Sequence, residues 1–190
     1  MKAELLRKGI HSLIAFIPLL AVYNRSLTAM LLMIGILFYV FAESFRYLGF
    51  SPAFISSITT IVLRKKEEGH FALAPVTLGI GALLSILIFP PEVATLSIYI
   101  LAFGDSAGTI VGKFFGRLRP AILLGKSIEG SLACFTVSFI AAYIVINNWK
   151  IALAAAFAAL IIDMIKLGDL DNILMPLAAG FSASIMLFLI

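Results

Sequence analysis

Residues 71–89, FALAPVTLGIGALLSILIF, carry no charged side chain and are long enough to cross a bilayer as one helix, since a spanning helix needs about 20 apolar residues. Similar runs recur along the 190-residue chain, of which 62% is hydrophobic and 13% charged. A soluble domain is roughly 45–50% apolar and about 25% charged. The composition therefore excludes a water-soluble monomer and indicates an integral membrane protein.

Seven apolar runs predict an all-α fold, a polytopic membrane bundle of about seven transmembrane helices that forms one domain over residues 1–190. The runs are Leu13–Tyr23, Leu27–Ala42, Phe71–Phe89, Val93–Val111, Ile128–Ile146, Ile151–Ile162 and Ile173–Ile190. An eighth run, Phe50–Leu63, has 14 residues and contains Pro52. As a helix it would rise about 21 Å against a hydrocarbon core of about 30 Å. We expect this segment to be interfacial or re-entrant.

The distribution of basic residues predicts the orientation, because cytoplasmic loops carry an excess of Lys and Arg. If Phe50–Leu63 does not cross, twelve of the 14 basic residues lie on one side and only Arg25 and Lys150 lie on the other. If it crosses, the split is nine against five. The first topology is favoured, and it places the N-terminus and nearly all acidic residues at the cytoplasmic face of the cell membrane. The net charge of +4 is too small to indicate a nucleic-acid partner.

The segment Gly104–Gly130, GDSAGTIVGKFFGRLRPAILLGKSIEG, places an acid at the end of an apolar run and follows it with glycines and cations. A carboxylate such as Asp105 costs about 2.5–3.5 kcal/mol at the centre of a membrane helix on insertion scales, so such residues are functional candidates by default. The glycines recur every four residues, at Gly104, Gly108, Gly112 and Gly116. The other polar candidates are Lys113, Arg117, Lys126, Ser127 and Glu129.

Two interpretations of this segment stay open on the residues alone. It suits a magnesium nucleotide, because the acid can hold the metal, the glycines admit phosphates close to backbone N–H groups, and the cations neutralise them. Alternatively, Asp105 caps a helix, the glycines pack helices together, and the cations anchor the chain at the interface. Walker, dinucleotide-binding, nucleophile-elbow and zinc-protease motifs are absent from the sequence, which removes most soluble-enzyme alternatives.

Further polar residues cluster near both ends of the sequence. His11 shares a helical face with Arg7 and Lys8 through i+4 and i+3 spacing, and this patch could bind an anion. Asp163 ends an apolar run, whereas Asp171 and Asn172 precede the last run, where helix capping is the alternative explanation.

Together these motifs resemble the CTP-dependent lipid-alcohol kinases, the polyprenol kinase group that contains dolichol kinase, phytol kinase and a CTP-dependent diacylglycerol kinase. The resemblance rests on GDSAGTIVGKFFGR and GKSIEGSLA, on the N-terminal ELLRKGIH, and on RKKEEG. It also includes a D-x7-DN-x3-P pattern, formed by Asp163, Asp171, Asn172 and Pro176. Asp163 is a departure, because family members more often carry Glu there.

The resemblance implies a membrane enzyme that transfers the γ-phosphoryl group of CTP to a long-chain isoprenoid alcohol of the polyprenol, dolichol or phytol type. It implies Mg²⁺ held by Asp105, Asp171 and Asn172. Glu129 would orient Lys126 or complete the metal shell, and Asp163 would accept the proton of the alcohol. The residues expected to bind the nucleotide are Gly104, Gly108, Gly112, Lys113, Arg117, Lys126 and Ser127.

Two other functions are the alternatives. The phosphatidate cytidylyltransferases, which make CDP-lipids from CTP, share a similar GD-x2-A-x2-G and K-x-EG arrangement. Their C-terminal element is rich in Lys-Asp, His-Gly-Gly and Asp-Arg, whereas this chain has DLDNILMPLAAG and no His after His70. A small cation or proton transporter is the remoter alternative. Its path would need ionisable groups at several depths of the membrane, whereas those of this chain gather at one face.

Overall fold

The computed structural model of the chain describes residues 2–49, 70–120, 125–165 and 167–190. All regular structure in these ranges is helical. The α-helices are α1 (Lys2–Ser12), α2 (Ile17–Tyr23), α3 (Arg25–Tyr47), α4 (Ala74–Ile88), α5 (Pro91–Tyr99), α6 (Asp105–Phe114), α7 (Ile128–Ile146), α8 (Trp149–Met164) and α9 (Asp171–Leu189). Short 3-10 helices cover Leu13–Phe16 and Gly168–Leu170, and a π-helical turn covers Ile100–Gly104.

Five helical segments of the described ranges are long and apolar enough to cross a membrane: Leu5–Tyr23, Arg25–Tyr47, Pro91–Phe114, Ile128–Ile146 and Gly168–Leu189. Helices α4 and α8 have 15 and 16 residues and are therefore about 23 Å long. The prediction of an all-α polytopic membrane bundle is confirmed, and each of the seven predicted runs overlaps helical structure, but only five lie in segments long enough to cross, and the run at residues 71–89 is helical only over Ala74–Ile88. The eighth run, Phe50–Leu63, lies outside the described residues.

The first two spans extend beyond the apolar runs that predicted them. The first begins at Leu5 instead of Leu13, because the side chains of Lys8 and His11 are buried in the bundle and do not end the helix. Helix α3 continues past Ala42 to Tyr47, since Glu43 is buried and accepts two hydrogen bonds from the Arg46 guanidinium, at 2.6 and 2.7 Å. Charged residues can continue a membrane helix when they are paired inside the protein.

Polar contacts also connect helix ends on both sides of the bundle. Glu43 accepts a hydrogen bond from the backbone N–H of Ala72 at 2.7 Å, and Arg46 donates to the His70 carbonyl at 2.7 Å. These bonds attach the chain that enters α4 to the end of α3. At the opposite end, Arg25 donates to backbone carbonyls at the end of α4, those of Ile86 and Phe89. Such carbonyls have no helical partner of their own.

The core of the bundle is packed through small side chains. Helix α8 packs against both α7 and α9, and α5 also contacts α7 and α9. The buried small residues of this core are Ala94, Cys134, Ala142, Ala152, Ala155, Ala159, Ala179 and Ala183. Association in lipid relies on close van der Waals packing, which small residues permit by letting backbones approach. This packing brings the ends of α7, α8 and α9 together.

A proline inside α9 creates a second close approach. Pro176 has no N–H, so the carbonyl of Asn172 lacks the donor that a regular helix would supply four residues later. This carbonyl faces Gly81 of α4 so closely that a Cβ atom on Gly81 would lie far inside van der Waals distance of the oxygen. Glycine at position 81 therefore allows α4 and α9 to pack.

We expect Gly81→Ala to destabilise the bundle by about 1–3 kcal/mol, because a methyl group forces backbone shifts in a packed site. The matched control is Gly35→Ala in α3, where a Cβ atom meets nothing within 4 Å and alanine favours the helix by about 1 kcal/mol. Thermal unfolding in detergent should show a lower Tm for the first variant and an unchanged or higher Tm for the second. Equal melting temperatures would contradict the packing described here.

Candidate active site

Two buried charges of the site form an ion pair between α1 and α6. Lys8 and Asp105 are 5% and 6% exposed, and the Lys8 ammonium donates a hydrogen bond to Oδ2 of Asp105. Nε2 of His11 lies 3.3 Å from the same oxygen and 3.1 Å from the Leu101 carbonyl. The N-terminal basic patch and the acid of the Gly104–Gly130 segment therefore form one cluster.

Local structure positions both partners of this pair. The π-helical turn Ile100–Gly104 immediately precedes Asp105, and π-turns inside α-helices are frequent at functional sites. On the other side, the Ser12 hydroxyl donates to the Lys8 carbonyl at 2.9 Å and lies 3.3 Å from Oγ of Ser106. The first span therefore packs against α6 in the register that brings Lys8 to Asp105.

A second ion pair joins the start of α7 to the end of α8. Nζ of Lys126 donates to Oδ1 of Asp163 at 2.8 Å, and the Ser131 hydroxyl donates to Oδ2 at 3.2 Å. Asp163 is buried, whereas the Lys126 side chain is 32% exposed. Ser127 is buried and caps α7 by accepting a hydrogen bond from the Gly130 N–H at 3.1 Å.

A cavity of about 240 Å³ lies beside the second ion pair, between α6 and the start of α7. Its lining residues are Gly108, Thr109, Gly112, Lys113, Arg119, Gly125, Lys126, Ser127, Gly130 and Asp163. The hydroxyl of Thr109 lies 3.4 Å from Oδ1 of Asp105, so it connects the cavity wall to the first ion pair. The cavity thus combines small residues with three cations and one carboxylate.

The glycines of the π-helical turn and of α6 serve helix packing, and two of them, Gly108 and Gly112, also line this cavity. A Cβ atom on Gly104 would collide with Ser138, and one on Gly108 would lie 2.9 Å from Cβ of Cys134. The packing interpretation of the spacing is therefore correct for these two glycines, which face α7. Gly112 would bring a Cβ atom to 3.1 Å from Oγ of Ser127, and with Gly108 it leaves the cavity floor free of side chains.

Two side chains organise the connection between α6 and α7. The Arg119 guanidinium donates to the Gly112 carbonyl at 2.8 Å and to the Gly125 carbonyl at 2.9 Å. Oε1 of Glu129 accepts hydrogen bonds from the backbone N–H groups of Arg117 and Leu118, at 3.0 and 3.1 Å. In this structure Glu129 therefore contacts the backbone of the loop and not Lys126, because the loop folds back over the start of α7.

Asp171 and Asn172 begin α9 at the same end of the bundle. The Asn172 amide nitrogen donates to the Ala74 carbonyl at 3.3 Å and to the Thr77 hydroxyl at 3.0 Å. These bonds dock α9 on α4. Asp171 is half-buried and interacts electrostatically with Asp105, Lys126 and Lys8. The two acidic residues expected to hold a metal therefore influence each other electrostatically.

Within the described part of the chain, no three His, Cys, Asp or Glu side chains form a ready-made metal site. Mg²⁺ is usually bound through one or two carboxylates together with substrate phosphates. The pair of Asp105 and Asp171 supplies hard oxygen donors of that kind. The donor set therefore fits a magnesium ion that arrives with a nucleotide.

The structure brings most of the predicted site residues to one end of the bundle, with some differences in detail. Arg117 and Arg119 are both exposed, but only Arg119 lines the cavity. Sequence reasoning singled out the patch that contains Lys8 without connecting it to Asp105, and it did not single out Ser131 or Thr109. The GKSIEGS motif, which includes Ser131, was the available signal for that residue.

Comparisons with known proteins identify three fungal relatives, each named CTP-dependent diacylglycerol kinase 1. The protein from Eremothecium gossypii is 32% identical over 146 residues, which cover 73% of this chain and 45% of the relative. The proteins from Saccharomyces cerevisiae and Schizosaccharomyces pombe are 27% and 26% identical over 148 residues, and these cover 75% of this chain and 50% and 67% of the relatives. The chain spans about half the length of the first two relatives.

No protein-family model matches the chain, and no solved structure is significantly similar to it. The three relatives support the resemblance at the level of the CTP-dependent lipid kinases. By their names they are not polyprenol, dolichol or phytol kinases, so the narrower resemblance has no support from them. The chain is therefore similar to CTP-dependent kinases that phosphorylate a membrane lipid.

Proposed function

We propose that this protein transfers the γ-phosphoryl group of CTP to the hydroxyl group of a membrane lipid. The observation that carries the proposal is a pair of carboxylate–ammonium contacts with buried carboxylates, Lys8 with Asp105 and Lys126 with Asp163, at one end of a membrane bundle. Phosphoryl transfer mainly requires positioning and charge neutralisation. Both requirements can be met where buried charges adjoin a cavity lined by cations.

The cavity suits the phosphate groups of the nucleotide. Lys113, Arg119 and Lys126 line it and supply positive charge, while Gly108 and Gly112 leave room for phosphate oxygens beside the backbone. Asp105 and Asp171, with Asn172, would hold Mg²⁺, which when bound neutralises charge on the transferring group. Asp163 orients Lys126 through its 2.8 Å ion pair, and its position in the cavity wall also lets it accept the proton of the acceptor hydroxyl.

Diacylglycerol is the acceptor favoured by the names of the relatives. A long-chain isoprenoid alcohol of the polyprenol, dolichol or phytol type remains the second candidate, on the sequence motifs alone. Both keep an apolar tail in the bilayer and present a hydroxyl group at its surface, where the polar end of the bundle lies. We propose that this end is cytoplasmic and that the bilayer is the cell membrane, as the excess of basic residues on one side predicts.

Purified protein in lipid nanodiscs with Mg²⁺, CTP and diacylglycerol should produce lipid monophosphate and CDP in equal amounts. A polyprenol offered in parallel should be phosphorylated more slowly if diacylglycerol is the acceptor, and faster if the isoprenoid assignment is correct. Product identification by mass spectrometry measures both. Formation of a CDP-lipid with pyrophosphate from phosphatidate would indicate the cytidylyltransferase instead, and ion flux without nucleotide turnover would indicate a transporter.

Two arginines of the same loop test where the phosphates bind. Arg119→Gln should raise KM for CTP about tenfold or more, because a hydrogen bond to a charged group contributes about 1.5–3 kcal/mol. Arg117→Gln is the matched control and should change KM less than about threefold, since both arginines are exposed but only Arg119 lines the cavity. Steady-state kinetics with varied CTP provides the measurement. A larger effect at Arg117 than at Arg119 would contradict the placement of the phosphates.

A further inference from the structure

We propose that the Lys8 ammonium group is a resident counter-ion that holds the cation position at Asp105 until a divalent cation and nucleotide bind. Exchange of the ammonium for the metal would then be part of loading the site. The inference rests on the proposed function in one respect, namely that a divalent cation uses Asp105. Lys8 is not among the residues proposed above to bind the phosphates, so this role is an additional one.

Both partners of the Lys8–Asp105 ion pair are buried. Asp105 and Lys8 are each about 95% buried, and a buried charge without a partner is strongly destabilising. The chain therefore needs a cation at Asp105 when no metal is bound. Lys8 supplies it from α1, a helix separated from Asp105 by 97 residues of sequence.

The two oxygens of the Asp105 carboxylate have different neighbours. Oδ2 accepts the hydrogen bond from Lys8 and lies 3.3 Å from His11. Oδ1 lies 3.4 Å from the hydroxyl of Thr109, which lines the cavity. Asp105 itself does not line the cavity, so a metal ion that approaches from there would pass the Thr109 hydroxyl and then meet Oδ1, while the ammonium group remains on Oδ2.

A bound metal ion and the Lys8 ammonium group would repel each other. A metal on one oxygen and an ammonium on the other would be held within about 5 Å of each other, in a site of low effective dielectric where like charges repel strongly. Lysine has a flexible four-carbon stem and makes point-charge contacts, so its ammonium can move without unfolding a helix. The released charge would then pair with an anion that binds together with the metal, such as a nucleotide phosphate.

This coupling has a consequence for the order of binding. Without nucleotide, a metal ion must displace Lys8 and leave its ammonium group without the carboxylate, so metal alone should bind weakly. With nucleotide, the phosphates accept the displaced charge. Removing the Lys8 charge should therefore strengthen metal binding in the absence of nucleotide, while it weakens turnover.

The experiment measures Mn²⁺ binding to the purified full chain without nucleotide, from the electron paramagnetic resonance signal of free Mn²⁺. Lys8→Met should bind Mn²⁺ at least tenfold more tightly than the unmodified chain. Arg119→Met is the matched control, because it removes an equal charge from the cavity wall, and its guanidinium group bonds the Gly112 and Gly125 carbonyls, so that no carboxylate loses its partner. It should change the affinity less than about threefold. The double variant Lys8→Met with Asp105→Asn should lose the gain.

Unchanged or weaker Mn²⁺ binding by Lys8→Met would overturn the proposal, and so would an equal gain in Arg119→Met, since general repulsion would then explain both. If Lys8→Met does not fold, Lys8→Gln retains a hydrogen-bond donor for Asp105 and should show the same gain in affinity. The measurement needs no turnover. A chain that shows the exchange but makes no lipid phosphate would therefore refute the proposed function and leave this inference standing.

Discussion

Charge inside a membrane bundle must be paired within the protein, and this requirement explains how the polar end is assembled. Asp105 follows a π-helical turn in the Pro91–Phe114 span and is buried against Lys8 of the first span. That contact fixes which face of α1 packs on α6. Glu43 with Arg46 and Asp163 with Lys126 follow the same pattern. Each of these buried carboxylates thus fixes the packing of the segments that it joins. The apolar runs alone would not determine which faces of these segments meet.

Close approach of helices is the second condition for the site. Gly108 and Gly130 bring α6 and α7 so near that a Cβ atom on Gly130 would lie 2.9 Å from the Cα atom of Gly112. The same absence of side chains leaves the cavity open beside Lys126 and Asp163. Helix packing and phosphate binding, which compete as explanations of the glycine spacing, are therefore compatible uses of one surface.

Hydropathy predicted the helices of the bundle, and charge distribution predicted that their polar residues gather at one end. The contact between Lys8 and Asp105 could not be predicted in this way, because its partners are 97 residues apart and meet only after α1 adopts its rotation in the bundle. The family resemblance implied that Glu129 would orient Lys126. The backbone N–H groups of the preceding loop bind Glu129 instead, a contact that depends on how the loop folds back.

The central claim is that the buried charges around Asp105 serve transfer of the terminal phosphoryl group of CTP to a lipid. The most direct measurement follows radioactive label from [γ-³²P]CTP and from [α-³²P]CTP into lipid, for the unmodified protein and for Asp105→Asn. The account predicts lipid labelling from the γ position alone, reduced about a hundredfold or more in the variant, as expected on removal of one electrostatic contact to the reacting group. Labelling of lipid from the α position, or undiminished γ labelling in Asp105→Asn, would contradict it.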